Sequence, residues 1–221
     1  MNSATQTGAV LLRYVAVEGP IGVGKTSLAK RLAEEFGTEP LLEGVDDNPF
    51  LPRFYQNQRQ VALSTQLHFL LQRMRQIQEL RQSDMFSQVT IADFLLEKDY
   101  LFAEITLDKD EFALYEQVYN HLSVDAPTPD LVVYLQAPVS VLLDRIGRRG
   151  RNFERAIDAA YLRRINEAYA DFFHRYDDAP LLIVNAADID LVNRDADYEA
   201  LLAQIREAPS GRLFFNPLPF V

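Results

Sequence analysis

Eight consecutive residues, Gly19-Pro-Ile-Gly-Val-Gly-Lys-Thr26, satisfy the pattern G-x-x-x-x-G-K-[ST] in full. The flanks complete the context that the pattern requires. An apolar run, Tyr14-Val-Ala-Val-Glu18, precedes it and reads as a buried strand. Residues 26–36 (TSLAKRLAEEF) follow, with Leu28, Leu32 and Phe36 on one helical face and Gly37 as a C-cap. A strand that turns through glycines into a helix aims successive backbone N–H groups, and the positive end of the helix, at one point. That point suits a phosphate. Gly19, Pro20, Ile21, Gly22, Val23, Gly24, Lys25, Thr26 and Ser27 are therefore expected to cradle the phosphates of a nucleoside triphosphate. Lys25 can reach the β- and γ-phosphates, and the Thr26 hydroxyl can hold Mg²⁺.

The rest of the chain repeats the alternation of a short apolar run with a helical pattern. Strands are expected at residues 40–43, 89–93, 131–135 and 181–184, in addition to 14–18. Helical spacing covers 64–80, 97–105, 109–122, 139–149, 156–176 and 198–205, and the prolines of 125–130 mark a loop. The strands are too apolar to face water on either side. The pattern, with its P-loop, predicts an α/β fold: a five-stranded parallel sheet flanked by helices, in a single domain over residues 1–221. Residues 206–221 form an aromatic and proline-rich tail that could dock on the body or contact a partner; the sequence does not choose between these.

Composition narrows the function classes. The 221 residues carry a net charge of −10, which lacks the basic footprint of a protein that binds long nucleic acid. With no cysteine and three scattered histidines, a thiolate or histidine-built metal site is not expected, and a reducing, cytoplasmic compartment fits. No apolar stretch approaches the ~20 residues of a membrane span, and the first residues lack the pattern of a secretory leader. One local basic cluster stands out, Arg145-Ile-Gly-Arg-Arg-Gly-Arg151. It suits a small anionic ligand, although on its own it reads more simply as a solvated helix end.

Asp93 and Glu43 each end a predicted strand, where open α/β sheets bind their ligands. Asp93 is placed like a Walker-B residue and could act on Mg²⁺, while Glu43 could accept the proton of an acceptor hydroxyl. Taken alone, each could equally cap a helix.

Longer stretches carry a more specific signal. Glu18-Gly-Pro-Ile-Gly-Val-Gly-Lys-Thr, Glu43-Gly-Val-Asp-Asp-Asn-Pro-Phe-Leu, Gln66 with Arg73 seven residues on, Ile91-Ala-Asp-Phe, Tyr100-Leu-Phe-Ala and Arg145-Ile-Gly-Arg-Arg-Gly-Arg-Asn-Phe-Glu154 together resemble the deoxynucleoside kinases of the deoxycytidine/deoxyguanosine/deoxyadenosine kinase group. The likeness extends to about residue 205. It implies the P-loop kinase fold with an arginine-rich lid, ATP as phosphate donor, Mg²⁺, a small-molecule deoxynucleoside as acceptor and a homodimer built through long helices, with no nucleic-acid polymer and no membrane as partner.

By the same resemblance, Glu43 is the general base at the 5′-hydroxyl, and Tyr55 with Glu154 holds the sugar 3′-hydroxyl. Gln66 and Arg73 read the base edge, and Asp99 adds a base-contacting acid, although the spacing after it is one residue short. Arg145, Arg149 and Arg151 become the arginines of a lid over the phosphates, which displaces the solvated-helix-end reading. One departure stands out. Asp93-Phe94-Leu95 occupies the place of an acid-Arg-Ser triplet, so Phe94 cannot bridge base and phosphate. An aromatic there also marks a bacterial deoxyguanosine-kinase-like branch, which favours a purine deoxynucleoside. The competing readings are a nucleoside monophosphate kinase of the thymidylate type and, in another class, a nucleotide-binding regulatory module.

Overall fold

The computed structural model describes residues 12–82, 89–122, 126–207 and 210–217. Its centre is a five-stranded, all-parallel sheet in the order β2-β1-β3-β4-β5. The strands are β1 (Tyr14–Glu18), β2 (Thr90–Ala92), β3 (Leu131–Gln136), β4 (Leu181–Asn185) and β5 (Arg212–Phe215). β1 is buried along its whole length, and β3 and β4 are buried but for their last residues, as strands covered on both faces must be. The helices are α1 (Lys25–Phe36), α2 (Leu51–Gln56), α3 (Gln58–Gln82), α4 (Lys98–Thr106), α5 (Lys109–Leu122), α6 (Val139–Arg149), α7 (Ala159–Arg175) and α8 (Asp195–Arg206). Among the described residues, no helix is long and apolar enough to cross a membrane.

The helices that support the site are fixed by ordinary means. α1 buries Leu28, Ala29, Leu32 and Ala33 and ends on Gly37 in the left-handed region, as its sequence predicts. α7 starts where the Asp158 side chain accepts from Tyr161 N at 2.7 Å, and buries Tyr161, Leu162, Ile165, Tyr169 and Phe173 on one face. Asp130 accepts from the backbone N–H groups of Arg13 and Tyr14 at 2.7 and 2.8 Å, which fastens the entrance of β3 to that of β1.

The sheet has five strands, but not the five expected. Residues 40–43 form no strand. Leu41 alone makes a bridge to Ala92, donating to Ile91 O at 2.8 Å and accepting from Asp93 N at 3.1 Å. Pro40 has no N–H to extend this ladder. The next carbonyls are taken by α3, where Gln76 Nε2 donates to Leu42 O at 2.7 Å and Gln72 Nε2 to Gly44 O at 3.3 Å. The fifth strand comes instead from the aromatic tail: β5 pairs with β4 in register from Leu181↔Arg212 to Val184↔Phe215. The tail therefore docks on the body over 212–215. α3 begins six residues earlier than expected, and a 3₁₀ turn (Asn152–Ala156) occupies the ground before α7.

The strand order places the site. From β1 the chain passes to β2 on one side of the sheet and then to β3 on the other, so the direction of winding reverses between β1 and β3. Ligands of open α/β sheets bind at such a switch point, beyond the C-terminal ends of the strands. The glycine-rich loop leaves β1 there.

Gly19, at φ 147, begins that loop. A Cβ at this position would lie 2.4 Å from Leu135 O on β3, against backbone that cannot yield. Gly19→Ala is expected to cost about 1–3 kcal/mol, read as a lowered midpoint of urea unfolding. An unchanged midpoint would mean that the loop does not depend on this approach.

Candidate active site

Two cavities meet at the glycine-rich loop. The larger, of about 680 Å³, lies between the loop, α6 and residues 186–193. The smaller, of about 270 Å³, lies between the loop, α2, α3 and the turn before α7. Gly22, Lys25, Thr26, Arg149 and Arg151 line both. The two spaces therefore share one cationic wall.

The loop is held in shape from within. Lys25 Nζ donates to Gly19 O at 2.7 Å and to Pro20 O at 3.3 Å, curling the loop around its own ammonium. Burial, and then the nearby Lys98 ammonium, push the Lys25 ammonium down to about 8. Thr26 Oγ1 donates to Asp93 Oδ2 at 2.5 Å, and Glu43 N donates to Asp93 Oδ1 at 2.6 Å. Asp93 thus joins the loop to the segment that carries Glu43. Burial raises the Asp93 carboxyl, against the pull of the Thr26 hydroxyl and the two lysines. A hydroxyl and a carboxylate side by side are hard oxygen donors of the kind that hold Mg²⁺ together with substrate phosphates.

Beneath the smaller cavity runs a chain of alternating charge, Glu18, Lys98, Glu43, Arg73 and Asp99, of which Lys98, Glu43 and Arg73 line it. Lys98 Nζ lies 3.3 Å from Glu18 Oε1 and donates to Glu43 Oε2 at 3.0 Å. Arg73 pairs with Glu43 through one nitrogen and with Asp99 through another. Glu18, Arg73, Lys98 and Asp99 are all buried. Glu18 also accepts from Gly19 N at 2.7 Å, Leu95 N at 3.0 Å and the Tyr169 hydroxyl at 2.9 Å. Burial alone would raise its carboxyl, but Lys98, Lys25 and the two backbone donors outweigh this and hold it below its ordinary value. Burial likewise brings the Lys98 ammonium down to about 8 and the Arg73 guanidinium down to about 10.

Side chains around this row are set for a ligand with a planar part and hydroxyls. Tyr55 stacks on Phe153, with centroids 6.2 Å apart and planes 2° apart. Its phenol is raised well above the usual value by burial, and then by Tyr161 and Glu154. Gln66 Nε2 donates to Thr106 Oγ1 at 3.1 Å, and that hydroxyl in turn donates to Phe102 O at 2.6 Å. With its one proton committed, Thr106 can only accept, which fixes the amide and leaves the Gln66 carbonyl and one N–H for a ligand. Glu154 receives Arg149 through Nε at 3.0 Å and a second nitrogen at 2.5 Å. Arg151 pairs with Asp46 at 3.2 Å. Asn48 donates to Thr65 O at 3.2 Å and accepts from Phe50 N at 3.0 Å, pinning the loop between Glu43 and α2 against α3.

The structure brings Glu43, Tyr55, Gln66, Arg73, Asp93 and Glu154 into one cleft, with Ile21, Gly22, Lys25 and Thr26 from the loop. Val23, Gly24 and Ser27 face the larger cavity, and Gly19 and Pro20 line neither of the two. Asp99 stands behind Arg73 rather than on the cleft wall. Arg145 lines only the larger cavity, where its guanidinium donates to Val23 O, Ala186 O and Ile189 O at 3.0, 2.7 and 3.3 Å. In this arrangement it holds the loop and residues 186–189 together.

Glu18 and Lys98 are the site residues that sequence reasoning missed. Glu18 carried a signal, as an acid ending a buried strand. Lys98 carried none, since a lysine in the first turn of a helix ordinarily projects into water.

A model of the deoxynucleoside kinase family matches residues 15–208. Among curated proteins, the chain is 35% identical to a deoxyguanosine kinase of Bacillus subtilis (strain 168), over 88% of this chain and 96% of the relative. It is 30% identical to a deoxyadenosine kinase of Lactobacillus acidophilus (strain ATCC 700396 / NCK56 / N2 / NCFM), over 86% of this chain and 94% of the relative. Among solved structures, a deoxyadenosine kinase from M. mycoides with bound dATP superposes with a TM-score of 0.76 at 23% identity, covering 87% of this chain and 98% of that one. This last likeness concerns the fold.

Arg73 neutralises two carboxylates in the buried row; its loss strands Asp99, while Glu43 keeps Lys98. Arg73→Met should destabilise the protein by about 3–5 kcal/mol, with Arg73→Lys recovering part of the loss in chemical denaturation. A change below about 1 kcal/mol would show that water already screens this pair.

Proposed function

The chain belongs to the deoxynucleoside kinase family, and from that premise we propose that it transfers the γ-phosphoryl group of ATP to the 5′-hydroxyl of a purine deoxynucleoside, deoxyguanosine or deoxyadenosine, giving the 5′-monophosphate in nucleotide salvage. The observation that carries the reading is the shared wall: a cationic boundary with an open cavity on one side and a smaller, partly apolar cleft on the other. ATP enters the larger space with its phosphates in the loop. The nucleoside occupies the smaller one, with its base toward Gln66 and Arg73 and its sugar between Tyr55 and Glu154. Its 5′-oxygen comes to Glu43.

In this reading Glu43 takes the proton of the 5′-hydroxyl as the oxygen attacks phosphorus, and ADP leaves with the bond to its β-phosphate oxygen. Lys25, the loop N–H groups and the lid arginines Arg149 and Arg151 counter the charge that spreads over the phosphoryl oxygens. Those arginines rest on Glu154 and Asp46, carboxylates of the acceptor side, so an arriving nucleoside competes for the same groups. Arg145 acts one step back, by holding the loop. Thr26 and Asp93 would hold Mg²⁺, which when bound neutralises the β- and γ-phosphate oxygens. Asp99 acts through Arg73.

The acceptor cleft carries Glu43, Asp46, Asp93 and Glu154. Three of these, Glu43, Asp46 and Glu154, pair with the cleft's Arg73, Lys98, Arg149 and Arg151. Cations already committed to carboxylates suit an uncharged acceptor better than a monophosphate, which counts against a nucleoside monophosphate kinase. A regulatory module would have no use for a carboxylate poised in the acceptor cleft. The same reading takes the chain as one domain in the cytoplasm, in keeping with its lack of cysteine. It also makes the protein a homodimer through its long helices, where Leu71 of α3 and Leu114 of α5 are left about half exposed.

A coupled assay with ATP, Mg²⁺ and a panel of nucleosides and monophosphates tests the reaction. Turnover of monophosphates but not nucleosides would overturn it. Glu43→Gln should retain ATP binding and lose about 10²–10⁴-fold in kcat; near-native kcat would remove Glu43 from the base role. Replacement of Gln66 by Leu should change the ranking of the bases by about tenfold or more, whereas an equal fall for every base would show that Gln66 does not read the base.

A further inference from the structure

Lys98 has a place in the cleft that its structural neighbours do not require. The side chain enters from the first turn of α4 and is 4% exposed. A buried ammonium is costly unless its partners need it. Glu18 already receives three other donors, from Gly19 N, Leu95 N and the Tyr169 hydroxyl. Glu43 already has Arg73. Each carboxylate would keep a donor if Lys98 were an apolar residue of similar length.

An ammonium carries three protons. Two of them account for the contacts to Glu43 Oε2 at 3.0 Å and Glu18 Oε1 at 3.3 Å. Among the described residues no third acceptor meets Nζ, and the residue lines the cleft together with Lys25, Thr26 and Arg149. Lys25 approaches the shared wall from the donor loop, while Lys98 approaches from the acceptor side, in contact with Glu43. The nearby Phe94 is fully buried and apolar, so that position supplies no cation.

We propose that Lys98 is a catalytic residue: held by Glu18 and Glu43, its ammonium donates its third N–H to an oxygen of the phosphoryl group in transit. The inference rests on the kinase reading above and deepens it. In the step concerned, the 5′-oxygen forms its bond to the γ-phosphorus and the bond from that phosphorus to the β,γ-bridging oxygen breaks. The electron pair departs with ADP, and the hydroxyl proton passes to the Glu43 carboxylate. Lys98 gives up no proton. It touches the base and the migrating group at once, so the hydroxyl is activated beside the phosphorus that it attacks. Glu18 is the positioning residue, since its four contacts fix where the ammonium points.

The test is single-turnover transfer from ATP to the nucleoside that the wild-type enzyme uses best, alongside equilibrium binding of that nucleoside and of ATP. Lys98→Met should slow transfer about 10²–10³-fold while both affinities stay within about threefold. Lys98→Arg, which keeps a charge and several donors, should recover at least tenfold of that loss. Because Lys98→Met leaves Glu18 facing an apolar group, Glu18→Gln/Lys98→Met removes the buried pair as a pair and supplies a second folded test. It should show the same loss, with Glu18→Gln alone within about tenfold of wild type. Transfer within threefold of wild type in either methionine variant would overturn the proposal, as would a loss matched by an equal loss of nucleoside affinity. A wild-type enzyme that phosphorylates no nucleoside would instead overturn the kinase reading, so the two failures are distinguishable.

Discussion

The buried sequence of alternating charges from Glu18 through Lys98, Glu43 and Arg73 to Asp99 is the constraint on which the rest of the site depends. Its members come from the end of β1, the start of α4, the segment after the Leu41 bridge and the middle of α3. Lys98 and Asp99 are neighbours in the chain, so the row closes on itself through α4. Each cation of the row is tolerated in the interior because a carboxylate lies on either side of it. The geometry of the loop, the Glu43 carboxylate and the cleft wall is thus fixed by one set of mutual obligations. A buried apolar contact could bring the same segments together, but it would not dictate which atoms face one another.

What the sequence made legible was what lies close together along the chain. The loop that begins at Gly19, the helix it opens and the buried strands could be read because each is a local pattern whose physics is local. Glu43, Tyr55, Gln66, Arg73 and Glu154 could be read through short motifs, and they share one cleft in the structure. Long-range pairings were not legible. Residues 40–43 look like a strand, but the carbonyls of Leu42 and Gly44 are claimed by Gln76 and Gln72 of α3, and nothing in the run of leucines announces that. Lys98 shows the same limit. Its sequence surroundings are those of a solvated first turn, and its burial follows from carboxylates on two other elements.

Asp99 and Arg145 show where a position in a motif says less than a position in space. Asp99 stands in the layer behind the cleft wall, against Arg73, so it bears on the cleft through the orientation of that guanidinium. Arg145 belongs to the same basic run as Arg149 and Arg151, yet it points toward three backbone carbonyls while the other two reach the shared wall. The spacing of arginines along α6 and the turn after it separates these tasks. Successive residues of a helix face different directions, and the chain leaves α6 at Gly150 before Arg151.

β5 bears on how the molecule is assembled in time. β4 is one of the most apolar strands of the sheet, and among the described residues its outer edge pairs with residues 212–215, which follow α8 in the chain. During synthesis β1, β2, β3 and β4 can all be present while that edge still shows unpaired N–H and C=O groups on an apolar ribbon, the kind of edge that templates pairing with another chain. Any truncated product that stops after α8 would carry a complete catalytic cleft and an open sheet edge together. For this chain, the vulnerable moment of biogenesis falls after the active site has been made, not before.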